Sequence, residues 1–153
     1  MSGAMTLLLT MMTVSCGSIS ANIPTNTYGG YTEAEIDLMA AVTFLEAGNQ
    51  DMKGKQLVVD TILNRIDSPD FPDTVKEVVN QKGQFGTAGR AARLKGEDIP
   101  IDCYGAVLSE LGDRKSREVL YFSRGWGCGE KLFKHGDHYF SGERRRKNDG
   151  ETA

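Results

Sequence analysis

The clearest helical signal in the chain is TEAEIDLMAAVTFLEAG, which runs from Thr32 to Gly48. Thr32 and Glu35 have the spacing of a capping box, in which each side chain accepts a hydrogen bond from a backbone N–H of the other residue. Apolar residues then recur at helical spacing, and Gly48 is typical of a helix end. This apolar stripe consists of Leu38, Met39, Val42 and Leu45. We therefore expect a helix with one buried face between Thr32 and Gly48.

Glu46 lies on the apolar stripe of this predicted helix. It follows Met39 by seven residues, which is nearly two full turns, so its carboxyl should face the core or a cleft. It also lies in the last turn, where the helix dipole disfavours negative charge. Burial and the dipole both favour the protonated carboxyl, which is the form that donates a proton to a glycosidic oxygen. The alternative is a carboxylate that turns outward to solvent at the helix end.

The segments after Gly48 predict an α+β fold. The expected ends are Asp51 and Ser68-Pro69 for a second helix, Asp73 and Val79 for a short third helix, and Cys103 and Leu111 for a fourth. A Gly-rich loop from Gln81 to Gly89 follows the third helix and is long enough to line a cleft. Val119–Phe122 and His138–Phe140 are β-branched and aromatic, which predicts a hairpin with a wide, irregular connection. We therefore expect a mostly helical fold with a small C-terminal antiparallel β-hairpin or sheet.

Charge divides the chain into parts. All 39 charged residues lie at or after Glu33, and the uncharged segment before it contains an apolar stretch of ten residues, Met5–Val14. That stretch is shorter than the ~20 residues of a membrane span and is typical of a secretory signal. We expect residues 1–30 to be a signal peptide, cleaved near Ala21 or lipidated at Cys16, or else a flexible N-terminal segment. Residues 31–141 should then form one domain and 142–153 a disordered basic and polar tail, which favours a secreted or cell-envelope protein.

Composition argues against several classes of partner. The formal net charge is −3, and the basic run Arg144–Lys147 lies in the polar tail, so nucleic acid is not expected as the main partner. His135 and His138 are the two His residues of the chain, whereas a catalytic zinc site normally takes three protein ligands. We therefore expect no metal, no cofactor, no stable membrane span and a monomeric protein.

Ordered motifs between Thr32 and Phe140 resemble those of the SleB-type cell-wall hydrolase family. They are Phe44-Leu45-Glu46-Ala47, Ile62-Leu63-Asn64-Arg65, Ser68-Pro69-Asp70-Phe71-Pro72-Asp73-Thr74, Gly83-Gln84-Phe85, Tyr121-Phe122 and Gly136-Asp137-His138-Tyr139-Phe140. The resemblance implies a lysozyme-like fold and a bacterial or phage enzyme that acts on peptidoglycan glycan strands. Release from a phage-infected cell is therefore an alternative to export.

The same resemblance implies a reaction and a catalytic residue. Glu46 would protonate the glycosidic oxygen between N-acetylmuramic acid and N-acetylglucosamine and then act as a base. Attack by the muramyl 6-hydroxyl would make the enzyme a lytic transglycosylase, and attack by water would make it a muramidase. Ordinary hydrolysis uses a second carboxylate, and none occurs at a matching motif position, which favours transglycosylation.

The chain departs from the family pattern directly after Glu46. Many members read Glu-Ala-Arg-Gly-Glu, whereas this chain has Gly48-Asn49-Gln50 after Ala47, which puts in doubt any role for a second acidic residue there. The closing motif has Asp137 where the family reads Asn.

Residues from four other positions are candidates for substrate binding. They are Gln84, Phe85, Tyr121 and His138, whose amide, hydroxyl, imidazole or aromatic groups suit sugar hydroxyls, N-acetyl groups and pyranose faces. Phe85 and Tyr121 are equally consistent with core packing. Asn64 and Arg65, at the end of the second helix, are interpreted as structural support.

Two other functions fit parts of the sequence. Cys103 begins a predicted helix in Asp-Cys-Tyr-Gly, so with His138 as base it could serve a cell-wall peptidase. A buried Cys103, or one in a disulfide with Cys128, is the structural alternative. A non-catalytic peptidoglycan-binding module would keep the aromatic residues and Gln84 but would not need Glu46.

Overall fold

The computed structural model describes residues Thr27 to Arg144. The expected signal segment with Cys16 and Ala21, and the tail beyond Arg144, lie outside the described residues. The elements in chain order are β1 Thr27–Tyr28, β2 Tyr31–Thr32, α1 Glu33–Ala47, α2 Met52–Asp67, α3 Val75–Asn80, α4 Ala88–Ala91, a 3-10 turn Gly96–Asp98, α5 Ile101–Gly112, β3 Tyr121–Ser123, β4 Glu130–His135 and β5 His138–Gly142. None of the helices in this part of the chain is long and apolar enough to cross a membrane.

Helix α1 begins and ends where the sequence predicts. Thr32 N donates to Glu35 Oε2 at 2.9 Å and Glu35 N donates to Thr32 Oγ1 at 3.4 Å, so the capping box is formed. Met39 and Val42 are fully buried. Gly48 follows the helix as its C-cap, and a Cβ at this position would lie 2.5 Å from the carbonyl oxygen of Phe44.

Helix α2 is the central helix of the core. Asp51 caps it by accepting from Gly54 N at 2.8 Å, as expected. Its apolar face is at most 1% exposed and consists of Leu57, Val58, Val59, Ile62 and Leu63. Val59, Ile62 and Leu63 pack in the core that α2 forms with α1, α3 and α5, whereas Leu57 packs against Val119 and Phe140. Burying a large aliphatic side chain contributes about 1.5–3 kcal/mol, so α2 is a main source of stability.

Three predicted boundaries are corrected by the structure. Thr74, not Asp73, caps α3, because its Oγ1 accepts from Glu77 N at 3.3 Å. The Gly-rich loop is interrupted by the short helix α4, and α5 begins at Ile101 rather than at Cys103. In the last case Pro100 fixes the backbone at the helix start, so the helix begins directly after it.

The C-terminal sheet contains a strand that the sequence did not predict. The expected strands do pair, with Phe122 opposite Phe140, but the order is β3-β5-β4, and β4 lies within the connection that was expected to be irregular. Strand β4 reads EKLFKH, in which charged residues and the 37% exposed Phe133 hide the strand pattern. A tight turn at Gly136, whose φ is +54°, connects β4 to β5.

Phe122 connects the sheet to the helices. A small cluster of Leu57, Val119 and Phe140 lies under the sheet, and Phe122 packs against both this cluster and the main helical core. The two predicted disulfide partners lie in different environments, since Cys103 is buried in the helical core and Cys128 is exposed. Both are free cysteines, so the proposed disulfide is not formed.

Candidate functional site

Glu46 lies in the last turn of α1 with a partly buried side chain. Thr87 Oγ1 donates to Glu46 Oε1 at 2.5 Å, so the carboxyl is held by a hydrogen bond and does not turn freely in solvent. Thr87 precedes α4 at the capping position, but its backbone is helical and its side chain makes no capping bond there. The sequence reading missed Thr87. A hydroxyl residue at a helix start in the Gly-rich loop is the signal that could have indicated it.

His138, the first residue of β5, faces the same region. Its side chain is 6% exposed, and its ring packs at 5.1 Å from Phe122 and 6.1 Å from Phe140. Burial lowers the pKa of His138, and the negative charges of Glu46 and Asp137 oppose this effect in part. The imidazole is therefore neutral at pH 7, and its buried Nδ1 has no hydrogen-bond partner within the described residues.

Arg65 contacts three of the candidate binding residues, Gln84, Phe85 and Tyr121. Its Nε donates to the Leu120 carbonyl at 2.7 Å and its Nη2 donates to Gln84 Oε1 at 2.8 Å. The guanidinium lies over three aromatic rings, at 5.1 Å from Phe71, 5.2 Å from Phe85 and 5.4 Å from Tyr121. Burial lowers the pKa of Arg65 to about 10, so it remains charged at pH 7. These contacts agree with the structural role predicted for Arg65. The side chain is more deeply buried than its place near the end of a helix suggested.

The predicted binding residues thus divide into two groups. Gln84, Phe85 and Tyr121 surround Arg65, whereas His138 lies near Glu46. Phe85 is 6% exposed and contacts Phe122 at 5.9 Å, so its direct role is packing. Gln84 is exposed and Tyr121 is partly buried, so both keep surface that a ligand can contact. Phe122, between Phe85 and His138, links the two groups.

Cys103 has the opposite properties to a nucleophile. It is fully buried, and burial followed by the charge of Asp102 raises the pKa of its thiol to about 11. Reactive cysteines have lowered pKa values and lie at accessible positions. The charge of Asp102 is paired with Lys55, whose Nζ lies 3.2 Å from Asp102 Oδ2. The structure therefore supports the buried, structural alternative for Cys103.

His135 is hydrogen-bonded to Asp51 and does not belong to a cluster of metal ligands. Its Nε2 lies 2.7 Å from Asp51 Oδ1, and this bond together with the Gly54 N–H holds the pKa of Asp51 below its usual value. Between Thr27 and Arg144, no group of three or more His, Cys, Asp or Glu side chains is arranged to hold a metal ion.

Known proteins similar to this chain share its sequence and its fold. Residues 49–141 match the family model described as Cell Wall Hydrolase. The spore cortex-lytic enzyme of Oceanobacillus iheyensis is 38% identical over 110 residues, which are 72% of this chain and 33% of that protein. The spore cortex-lytic enzyme of Bacillus subtilis is 34% identical over 107 residues, 69% of this chain and 33% of that protein. The chain thus spans about a third of the length of these relatives.

Two solved structures match this chain over nearly the whole of their own length. The catalytic domain of the germination-specific lytic transglycosylase SleB from Bacillus anthracis has a TM-score of 0.65 at 23% identity, covering 75% of this chain and 99% of that one. The catalytic domain of Bacillus cereus SleB has the same TM-score of 0.65 at 25% identity, covering 82% and 99%. These matches confirm the predicted lysozyme-like α+β fold. The family match begins three residues after Glu46 and extends over most of the domain, and on this evidence the chain belongs to the Cell Wall Hydrolase family.

Proposed function

We propose that this chain cleaves peptidoglycan glycan strands between N-acetylmuramic acid and N-acetylglucosamine, with Glu46 as the general acid and base. The observation that carries the proposal is the Glu46 carboxyl itself, which is partly buried at a helix end and held by Thr87 near a neutral His138. The fold of the SleB catalytic domains supports the same chemistry.

The hydrogen bond from Thr87 assigns different tasks to the two carboxyl oxygens. Oε1 accepts from Thr87, while Oε2 has no hydrogen-bond partner within the described residues. A proton on Oε2 would pass to the glycosidic oxygen as the bond to the muramyl C1 breaks, which releases the N-acetylglucosamine 4-hydroxyl. The carboxylate left behind then takes the proton of the incoming nucleophile, which restores Glu46 to its starting form.

We infer that the nucleophile is the muramyl 6-hydroxyl. Hydrolysis normally uses a second carboxylate to activate water or attack C1. The acidic residues next to the site are engaged elsewhere, because Asp137 Oδ2 accepts from the Gln50 and Asn49 amides and Asp51 pairs with His135. Attack by the 6-hydroxyl needs only the base already supplied by Glu46 and forms a 1,6-anhydro sugar.

The experiment compares the purified protein with Glu46→Gln on purified sacculi and analyses the soluble products by mass spectrometry. We expect anhydro-muropeptides from the parent and a loss of at least ~100-fold in the variant, because an amide cannot donate and accept the proton. Reducing ends in the products would favour the muramidase mechanism. Cleaved peptide stems, or full activity in Glu46→Gln, would contradict the proposal. Binding of both proteins to sacculi without released fragments would indicate a non-catalytic binding module.

A further inference from the structure

The turn between β4 and β5 is hydrogen-bonded to the loop between α1 and α2. We define the α1–α2 loop as residues 48–51 and the β4–β5 turn as residues 135–138. Gln50 Nε2 donates to Asp137 Oδ2 at 3.0 Å, and Asp137 N donates back to Gln50 Oε1 at 3.1 Å. Asn49 Nδ2 donates to the same Asp137 oxygen at 3.4 Å, and His135 pairs with Asp51 at 2.7 Å.

The backbone of the turn lies directly against the Gln50 side chain. A Cβ on Gly136 would lie only 1.9 Å from Gln50 Oε1, and the φ of Gly136 is +54°, a region that favours glycine. Any other residue at position 136 would therefore displace the end of the Gln50 side chain and place a Cβ on a strained backbone. Glycine at position 136 thus allows both the close approach of Gln50 and the positive φ of the turn.

This contact joins the two chain segments that bear the proposed catalytic carboxyl and its imidazole neighbour. Gln50 lies four residues after Glu46 in the loop that follows α1, and Asp137 directly precedes His138. Farther along β5, Phe140 anchors the strand in the small core with Leu57 and Val119. The Gln50–Asp137 pair holds the other end of β5, so it sets how far His138 lies from Glu46.

We propose that Gln50 and Asp137 are positioning residues that fix the distance between Glu46 and His138. The inference rests on the proposed function of Glu46. It gives a physical meaning to two of the departures from the family motifs, because positions 50 and 137 meet in this one contact. The chain has an amide at position 50 and a carboxylate at position 137, whereas the family motifs have the carboxylate first and the amide second.

Because one carboxylate faces one amide, the pair can be exchanged as a test. Gln50→Glu alone places two carboxylates against each other and removes the Nε2 donor. In the double variant Gln50→Glu/Asp137→Asn, the new amide can donate to one carboxylate oxygen, and the backbone N–H of residue 137 can donate to the other. Lys53→Gln is the matched control, because it alters the net charge by the same amount at an exposed position on the first turn of α2.

The measurements are the rate of muropeptide release from saturating sacculi, the fraction of protein that pellets with sacculi, and the unfolding midpoint. We expect Gln50→Glu to lower the saturated rate at least ~10-fold, since small misplacements of catalytic groups are costly. Pelleting and the unfolding midpoint should change little, because the contact is exposed to solvent. The double variant should recover to within ~3-fold of the parent, and Lys53→Gln should match the parent.

Hydrogen exchange of the segment 135–142 provides a readout that does not depend on activity. We expect faster exchange in Gln50→Glu and recovery in the double variant. Unchanged exchange, or a Gln50→Glu rate equal to that of an active parent, would overturn the positioning role. Failure of the double variant to recover would do the same. An inactive parent with the expected exchange pattern would instead contradict the proposed function.

Discussion

Thr87 and Arg65 each hold other residues of the candidate site in place through side-chain contacts. Thr87 lies 41 residues after Glu46 in the chain and orients its carboxyl through one hydrogen bond. Arg65 is 2% exposed and lacks an acidic partner in its hydrogen bonds and ring contacts, so the Leu120 carbonyl, Gln84 and three aromatic rings stabilise its charge. Both residues act through others, and their removal should have different consequences.

Thr87→Val should slow glycan cleavage while leaving the fold intact. The valine has nearly the same shape but cannot donate to the carboxylate that forms as Glu46 gives up its proton. A hydrogen bond to a charged group is worth about 1.5–3 kcal/mol, so we expect a rate loss of roughly 10-fold or more. Thr87→Ser keeps the hydroxyl and should retain most of the activity. Equal rates for the valine and serine variants would show that the bond does not support catalysis.

Arg65→Lys should destabilise the protein although it preserves the charge. Lysine cannot reach the Leu120 carbonyl and Gln84 together or cover the aromatic rings with a planar group. We expect a loss of about 2 kcal/mol in the free energy of unfolding, measured with urea. Gln84→Ala removes only one of these contacts and should cost less. A lysine variant as stable as the parent would contradict the central role of the guanidinium.

At the scale of elements, polar side chains of α2 and α5 hold the segment that connects α5 to β3. Asp60 Oδ2 accepts from Ser116 N at 2.8 Å, and Glu110 Oε2 accepts from Lys115 N at 2.6 Å. Asn64 Nδ2 donates to the carbonyls of Ser116 and Val119, both at 2.9 Å. Burial, followed by the neighbouring Glu110 carboxyl, raises the pKa of Asp60 to about 8. This segment positions β3, so the sheet depends on buried carboxyls.

The raised pKa of Asp60 predicts that the protein loses stability as the pH rises. An Asp of ordinary pKa 3.8 is ionised in the unfolded chain well before the folded-state group, whose pKa is about 8. Between these values the folded protein binds more protons than the unfolded chain, so the free energy of unfolding decreases with pH. Asp60→Asn removes this group and should flatten the slope. Thermal unfolding midpoints across this range test the prediction, and parallel slopes for parent and variant would contradict it.

At the scale of the molecule, the helical core and the sheet meet at Phe122, whose ring also contacts Phe85 and His138. Cys103 is part of the helical core with Met39, Val107 and other residues, while Cys128 is exposed in the connection between β3 and β4. The free thiols therefore report on the state of the whole fold. The arrangement also separates Cys103 from any role in cleavage.

Cys128 should react with a thiol reagent in the folded protein, whereas Cys103 should react only when the protein unfolds. Burial raises the pKa of Cys103 to about 11, and the thiolate is the reactive form. Mass spectrometry after alkylation at intermediate urea concentrations measures both rates. Cys103→Ala should retain cleavage of sacculi, and loss of cleavage in this variant without loss of folding would revive the peptidase hypothesis.

Much of the helical fold could be predicted because its signals are local. The capping box of Thr32, the cap of Asp51 and the apolar face of α2 each involve residues within a few turns, so α1, α2 and the place of Glu46 follow from their spacing. The pairing of Val119–Phe122 with His138–Phe140 was predicted from their β-branched and aromatic composition. Strand β4 was missed because its residues are only partly buried or exposed, a bulge interrupts its register, and charged residues surround its two apolar ones.

The assembly of the site was decided by contacts between distant parts of the chain. Thr87 meets Glu46 across 41 residues, and Gln50 meets Asp137 across 87. Local sequence patterns do not predict such pairs, because the two residues of each pair meet only after the helices and the sheet have packed together. The sequence alone thus indicated which carboxyl to examine, whereas packing determined what holds it and what faces it.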